Sequence, residues 1–302
     1  MNRRARTFIV FSLLFVALNR EGFAGQALPE SSVPQKVVSL APSVTETIFA
    51  LGFGDRLVGV TTSCDYPAEA RKIPKIGGFM SPSLETIVAK RPGIVIGVSS
   101  ATDPAKAREM ERLGLEVTLI SLASVSDILS SIKSIARSLG SPQAGEKLVH
   151  KITLQMDQVR ARVAPAPRRS TLLLVGLRPL IAVGGKNFID ELITLAGGKN
   201  IAGDAAQPWL NLPDEYVVAK APQVIIEAGM GSERDQIAKH WADLKSIPAV
   251  QHRRVYRYPS DKILRPGPRI GEGLEEIARL LHPECFADSK SGLVNGRKCE
   301  GS

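Results

Sequence analysis

A twelve-residue pattern recurs within this chain. The stretch ETIVAKRPGIVI (85–96) aligns without gaps to EYVVAKAPQVII (215–226), with six of twelve positions identical at a separation of 130 residues. Each copy reads as a short helix that opens on Glu, stops before a proline that cannot continue it, and leads into an apolar run of strand length. Any helix–Pro–strand unit shares that outline, but not six identities. The repeat therefore predicts two related α/β lobes. Each Glu also follows a proline-marked helix start, Ser81-Pro82 before Glu85 and Leu212-Pro213 before Glu215. A carboxylate in the first turn gains about 0.3–1 kcal/mol from the helix dipole and needs no partner for that. The same placement also sets one carboxylate on each lobe, where two arginines of a symmetric partner could meet them.

The sequence around the repeat supports a layered α/β fold. Strands are predicted at 37–40, 57–60, 94–98 and 117–120, with helices at 45–51, 84–90 and 104–113 between them. The pattern resumes with strands at 171–175 and 224–227 and helices at 187–196 and 214–220. Such alternation predicts parallel sheets flanked by helices. The middle differs. Ser141-Pro142 is a helix start, no proline follows until Pro165, and Leu148, Ile152, Met156 and Val159 recur at helical spacing. One stiff helix of about 20 residues, about 30 Å long, is expected at 141–164. It joins an N-terminal lobe at 34–140 to a C-terminal lobe at 165–287, and 288–302 is expected to be a flexible tail.

The first residues read as a secretory signal peptide over 1–24. Arg3, Arg4 and Arg6 precede an apolar run from Phe8 to Leu18, and small residues follow. That run is short for a resident span, although a retained anchor has a similar outline. No cysteine precedes Cys64, so an acylated-cysteine leader is not expected and the periplasm is. Removing four Arg and one Glu with residues 1–24 lowers the formal charge from +9 to +6. This modest charge is not gathered in one basic block, and aromatic residues make up 5% of the chain, which argues against a nucleic-acid partner. In an oxidising compartment Cys285 and Cys299 are a possible disulfide. Cys64 then reads as a small buried residue or a thiol near a ligand.

Enzyme signatures are missing from the sequence: no GxSxG, HExxH or GxxxxGK[ST] occurs. Gly184-Gly185-Lys186 after a short strand suggests phosphate binding, but the preceding glycine spacing is wrong. Strand–helix lobes do occur in enzymes with an interlobe active site, so the fold by itself excludes nothing. His150, His240, His252 and His282 are scattered, so spacing builds no metal site.

A resemblance adds to this reading. VVSLAPSVTE (37–46), GVTTSCDYP (59–67), Ile76-Gly77-Gly78, SLETI (83–87) and GKNFIDELITLAGGKNI (185–201) occur in the order and spacing seen in one family. In these segments the chain resembles the periplasmic cobalamin-, siderophore- and heme-binding proteins of ABC importers, over nearly all of 36–283. The resemblance implies two doubly wound lobes joined by one rigid interlobe helix, the class III architecture. It implies a monomeric, non-enzymatic carrier without a cofactor, a small-molecule ligand in the interlobe cleft, and docking on a dimeric permease in the inner membrane through Glu85 and Glu215.

By position, the resemblance also implies a ligand-facing set: Ser63, Asp65, Tyr66, Phe79, Arg178, Trp209, Asp261 and Arg265. Trp209 matches a cleft aromatic of the vitamin B12-binding members. Phe79 stands where they carry Trp, Ser63 where they carry Tyr, and the 97–101 loop lacks a further Trp. Asp65-Tyr66-Pro67 also reads as a turn shaping the rim, and Arg265 and Arg269 suit a phosphate or carboxylate. Cobalamin or a related corrinoid is the expected ligand, with a ferric siderophore or heme as the alternative. A heme binder usually offers a Tyr or His to iron, and Tyr66 is the one tyrosine of the N-terminal lobe.

Overall fold

In the computed structural model, residues 33–229 and 239–290 are described. The first sheet is built from short, mainly apolar segments: Val37–Ser39 (β1), Leu57–Val60 (β2), Ile94–Val98 (β3) and Val117–Ile120 (β4). They form a parallel sheet in the order β2-β1-β3-β4. β1 and β3 are buried at every position, as strands covered on both faces must be. The cover comes from α1 (Pro42–Ala50), α2 (Leu84–Ala89), α3 (Pro104–Arg112) and α4 (Val125–Ser138). Their starts follow local chemistry. Ser83 Oγ accepts from the Thr86 N–H at 3.2 Å, Asp103 accepts from Ala105, and Ser124 accepts from Asp127. Pro42 and Pro104 occupy the first helical turns, where no N–H is needed.

The second sheet is mixed. Arg169–Leu177 (β5), Leu180–Val183 (β6), Gly198–Asn200 (β7), Trp209–Leu212 (β8), Val224–Glu227 (β9) and Val255–Arg257 (β10) take the order β10-β9-β5-β6-β8, with β7 also beside β5. β5, β7, β9 and β10 pair in parallel, as the strand–helix alternation predicts. β6 and β8 join antiparallel. The sequence reading gave a short strand before Gly184 without its pairing and did not resolve β8, because the Arg178-Pro179 turn makes β6 a hairpin partner of β5 where parallel pairing was expected. Helices α6 (Phe188–Leu195), α7 (Asp214–Lys220) and, after α5, α8 (Ile270–Leu281) complete this half.

Between the sheets lies α5 (Pro142–Val163), 22 residues and about 33 Å long. Pro142 starts it, but Ser141 makes no side-chain cap bond. Ile152, Met156, Val159 and Val163 form its buried stripe, and it packs on α4 and on α8. Both contacts are close. A Cβ on Gly145 would lie 2.6 Å from the Ala136 Cβ of α4, and one on Gly271 of α8 would lie 2.6 Å from the Gln155 Oε1 of α5. A single apolar cluster runs from Val37 and Ile96 through Ile152 and Met156 to Leu274 and Leu281. Residues 33 onward accordingly form one compact unit.

The expected signal peptide at 1–24 and Cys299 lie outside the described residues. Cys285 is disulfide-bonded, while Cys64 is free, 1% exposed, and in contact with the Thr45 and Thr61 hydroxyls at 3.2 and 3.1 Å. It is a core residue. A 3₁₀ helix runs over Pro283–Lys290, into the start of the tail expected at 288–302, and 291–302 lie outside the described residues. No helix among the described residues is long and apolar enough to cross a membrane.

Truncating the middle of the α5 stripe should loosen the contact between the sheets. Ile152→Ala is expected to cost about 2–5 kcal/mol, the usual range for such a deletion in a packed core. Urea unfolding followed by circular dichroism measures it.

Candidate functional site

Parallel strands release their loops at their carboxyl ends, and in open α/β sheets ligands bind there. The N-terminal sheet does so three times. The turn after β1 brings Pro42 and Ser43, the one after β3 brings Ser99 and Ser100, and the one after β4 brings Ser121, Leu122 and Ala123. A fourth piece comes from the turn that precedes α2. Gly77 has φ +107, where a Cβ would meet the Ser81 carbonyl oxygen at 2.8 Å, and the turn it closes carries Phe79. The C-terminal half supplies the facing wall: Lys186, Asn187 and Phe188 between β6 and α6, Pro208 and Trp209 at β8, and Leu264, Arg265 and Pro266 before α8. Together they enclose a cavity of about 540 Å³ with aromatic side chains on both walls and no carboxylate in its lining.

Beside this cavity the two halves are joined by charge. Glu46 sits on α1 with a side chain only 1% exposed. The Arg269 guanidinium donates to both its oxygens at 2.7 Å, a bidentate pair. Arg265 donates to Glu46 Oε1 at 3.2 Å and to Asp65 Oδ1 at 2.7 Å, and its other nitrogen lies 3.1 Å from Asp261. Tyr66 lies under Arg269, ring centroid to guanidinium carbon 3.9 Å, a cation–π contact. The network thus holds Glu46, Asp65 and Tyr66 of the N-terminal half against Asp261, Arg265 and Arg269 of the C-terminal half. The Arg265 hydrogen bond holds the Asp65 carboxyl below the usual carboxylate range, against the opposing effect of its partial burial. Burial works against the charge on Arg265, but hydrogen bonds to Asp65 and Glu46 outweigh it and keep the guanidinium firmly protonated.

Of the eight residues expected at the ligand, Phe79, Trp209 and Arg265 line the cavity. Asp65, Tyr66 and Asp261 do not. They belong to the ion-pair network, because Arg265 and Arg269 draw them together beside the cleft. Ser63 is exposed on the loop after β2 and Arg178 is exposed in the β5–β6 turn, and neither lines the cavity. Sequence reasoning missed Glu46, Asn187 and Phe188, and raised Lys186 only within a glycine segment whose spacing did not fit a phosphate loop. The signal for Glu46 was present: it is a charge inside Val44–Ile48, a helical stretch buried all round. Such a charge must find a cation. Glu85 and Glu215 are both exposed on the first turns of α2 and α7, and two residues on in each copy Ile87 and Val217 are buried. The two copies therefore present their glutamates alike. No cluster of metal-ligating side chains occurs among the described residues.

Removing one member of a buried ion pair strands the other. Glu46→Ala leaves Arg269, only 12% exposed, without its bidentate partner. A loss of about 3–5 kcal/mol is expected, read as a shifted urea midpoint, with Glu46→Gln losing less because it still accepts a hydrogen bond.

Comparison with known proteins places this geometry. A family model described as periplasmic binding protein matches residues 37–262. An uncharacterized ABC transporter substrate-binding lipoprotein of Bacillus subtilis, YvrC, is 31% identical over 265 residues, covering 84% of this chain and 82% of its own length. A vitamin B12-binding protein of Vibrio campbellii is 27% identical over 244 residues, covering 80% and 88%. Among solved structures, the periplasmic vitamin B12-binding protein BtuF of Vibrio cholerae superposes with a TM-score of 0.74 at 25% identity, covering 83% of this chain and 98% of that one. The apo heme-binding protein RhuT from Roseiflexus gives a TM-score of 0.75 at 29% identity, covering 83% and 99%. With its α/β halves, its central helix and its interlobe cleft, the chain belongs to the periplasmic binding protein family of ABC-importer substrate-binding proteins.

Proposed function

We propose that this protein is a monomeric periplasmic receptor that takes cobalamin or a related corrinoid into the interlobe cleft and delivers it to an ABC permease dimer in the inner membrane. The observation that carries the reading is the aromatic lining: Phe79 from one half faces the same cavity as Phe188 and Trp209 from the other. Rigid aromatic faces suit a flat macrocycle, burying much area at little entropic cost. The B12-binding relatives support the same ligand class. Heme fits less well, because no His, Tyr, Met or Cys is among the residues lining the cavity, and Tyr66 is engaged with Arg269. A ferric siderophore is the second reading, favoured by a cavity lining that holds two cations, Lys186 and Arg265, and no carboxylate, although Arg265 is paired behind the lining with Glu46, Asp65 and Asp261.

The two tryptophans make the test clean. Trp209 is 44% exposed at the cavity, whereas Trp241 is 2% exposed and donates to Glu227 at 2.6 Å. Cyanocobalamin at micromolar concentration is expected to quench the fluorescence, and Trp209→Phe to remove most of that response. A flat titration rejects the corrinoid reading.

Docking is proposed to use Glu85 and Glu215, the exposed carboxylates that the repeat presents alike. Reversing both to Lys should leave cyanocobalamin affinity unchanged. A like-charge juxtaposition at an interface costs several kcal/mol, so transport by the reconstituted importer should fall by roughly a hundredfold. Unchanged transport rejects the docking role.

A further inference from the structure

We infer that Lys186, and not Arg265, is the residue by which the cleft recognises an anionic group on its ligand. The inference rests on the reading of the cleft as the ligand site, and it specifies what the ligand must carry. Both cations line the cavity, but their surroundings differ. Arg265 lies within 3.2 Å of carboxylate oxygens from Glu46, Asp65 and Asp261. Its network sets two guanidiniums against three carboxylates, so the network as a whole is negative. An incoming anion would have to displace Asp65 and would still meet that negative field. Lys186 is exposed to the cavity and has no hydrogen bond or ion pair among the described residues. It is the one charge of the lining that nothing compensates.

The backbone strengthens the case. Lys186 has φ +53, a left-handed conformation that is strained for a non-glycine residue. Glycine would hold it without strain. The position is fixed from both sides. A Cβ on Gly184 would lie 2.1 Å from the Gln207 carbonyl oxygen and one on Gly185 would lie 2.3 Å from that of Gly203. Asn187 caps α6 by accepting from the Ile189 N–H and donates to the Pro208 carbonyl. The lysine is thus held next to the positive end of α6, where a cation is electrostatically unfavoured. A carboxylate or phosphate on the ligand's periphery, seated between the Lys186 ammonium and that helix end, satisfies both. The sequence segment Gly184-Gly185-Lys186 lacks the spacing of a phosphate loop, yet the fold turns it into an anion contact of another kind.

The test uses two corrinoids and three variants of the full chain. Cyanocobalamin carries a phosphodiester in its nucleotide loop; dicyanocobinamide has the same corrin ring without it. Lys186→Gln is expected to weaken cyanocobalamin binding by about tenfold, the size of one hydrogen bond to a charged group, and to leave dicyanocobinamide unchanged. Lys186→Arg should retain most of the affinity. Lys186→Gly should weaken cyanocobalamin equally while melting no lower than the parent, which separates lost recognition from lost folding. Equal affinity of parent and Lys186→Gln for cyanocobalamin overturns the assignment, as does equal weakening for both corrinoids. If the parent binds neither corrinoid, that reading fails by itself, and the same variants are titrated with hemin and with ferric enterobactin, both anionic. Selective weakening of the one that binds then supports Lys186, and unchanged affinity overturns it.

Discussion

The Glu46 carboxylate fixes how the two halves of this molecule meet. It is withdrawn from water on α1 and is neutralised by two guanidiniums that arrive from the other half, some 220 residues along the chain. A carboxylate in that position without those partners would cost several kcal/mol. The requirement therefore pins the 265–269 segment to α1. Arg269 immediately precedes α8, and Gly271 within α8 lies against Gln155 of α5. The same short stretch is tied on one side to α1 by charge and on the other to the central helix by packing.

The cleft follows from that arrangement. With α5 packed on helices from both halves and the ion pairs closing beside it, the carboxyl-end loops of the first sheet face the β6–α6 turn and the β8 edge at a set distance. Apolar and aromatic surface is then left facing a cavity and not a neighbour. Charge is segregated. The arginines are used internally, holding the walls in place, and the lysine faces the space between them. The division explains why a guanidinium that lines the cavity need not be the group that reads the ligand.

Much of the scaffold could be read from the chain. The strands at 94–98 and 224–227 were legible because buried parallel strands are nearly continuous apolar runs, here preceded by Pro92-Gly93 and by Pro222. The central helix was legible because prolines mark both its ends. α4 was harder, since its apolar positions are diluted by five serines, and β6 and β8 are four-residue strands whose pairing is set by a hairpin and by a partner distant in the chain. The site was less legible. Asp65, Tyr66 and Asp261 were expected at the ligand, whereas the structure sets them on Arg265 and Arg269 beside the cavity and not in its lining.

The local pattern determined the class of fold, the stiff central helix, and the matched glutamates of the repeat, since each depends on periodicity, proline positions and helix starts within a dozen residues. Tertiary structure decided which charges are spent on each other and which remain for a ligand. Pairing between Glu46 and Arg269 is a matter of angstroms in space between residues 223 apart, and no sequence spacing encodes it. The same holds for Lys186: its neighbours in the chain are glycines and an asparagine, and only the folded cleft shows that no acid among the described residues pairs with it.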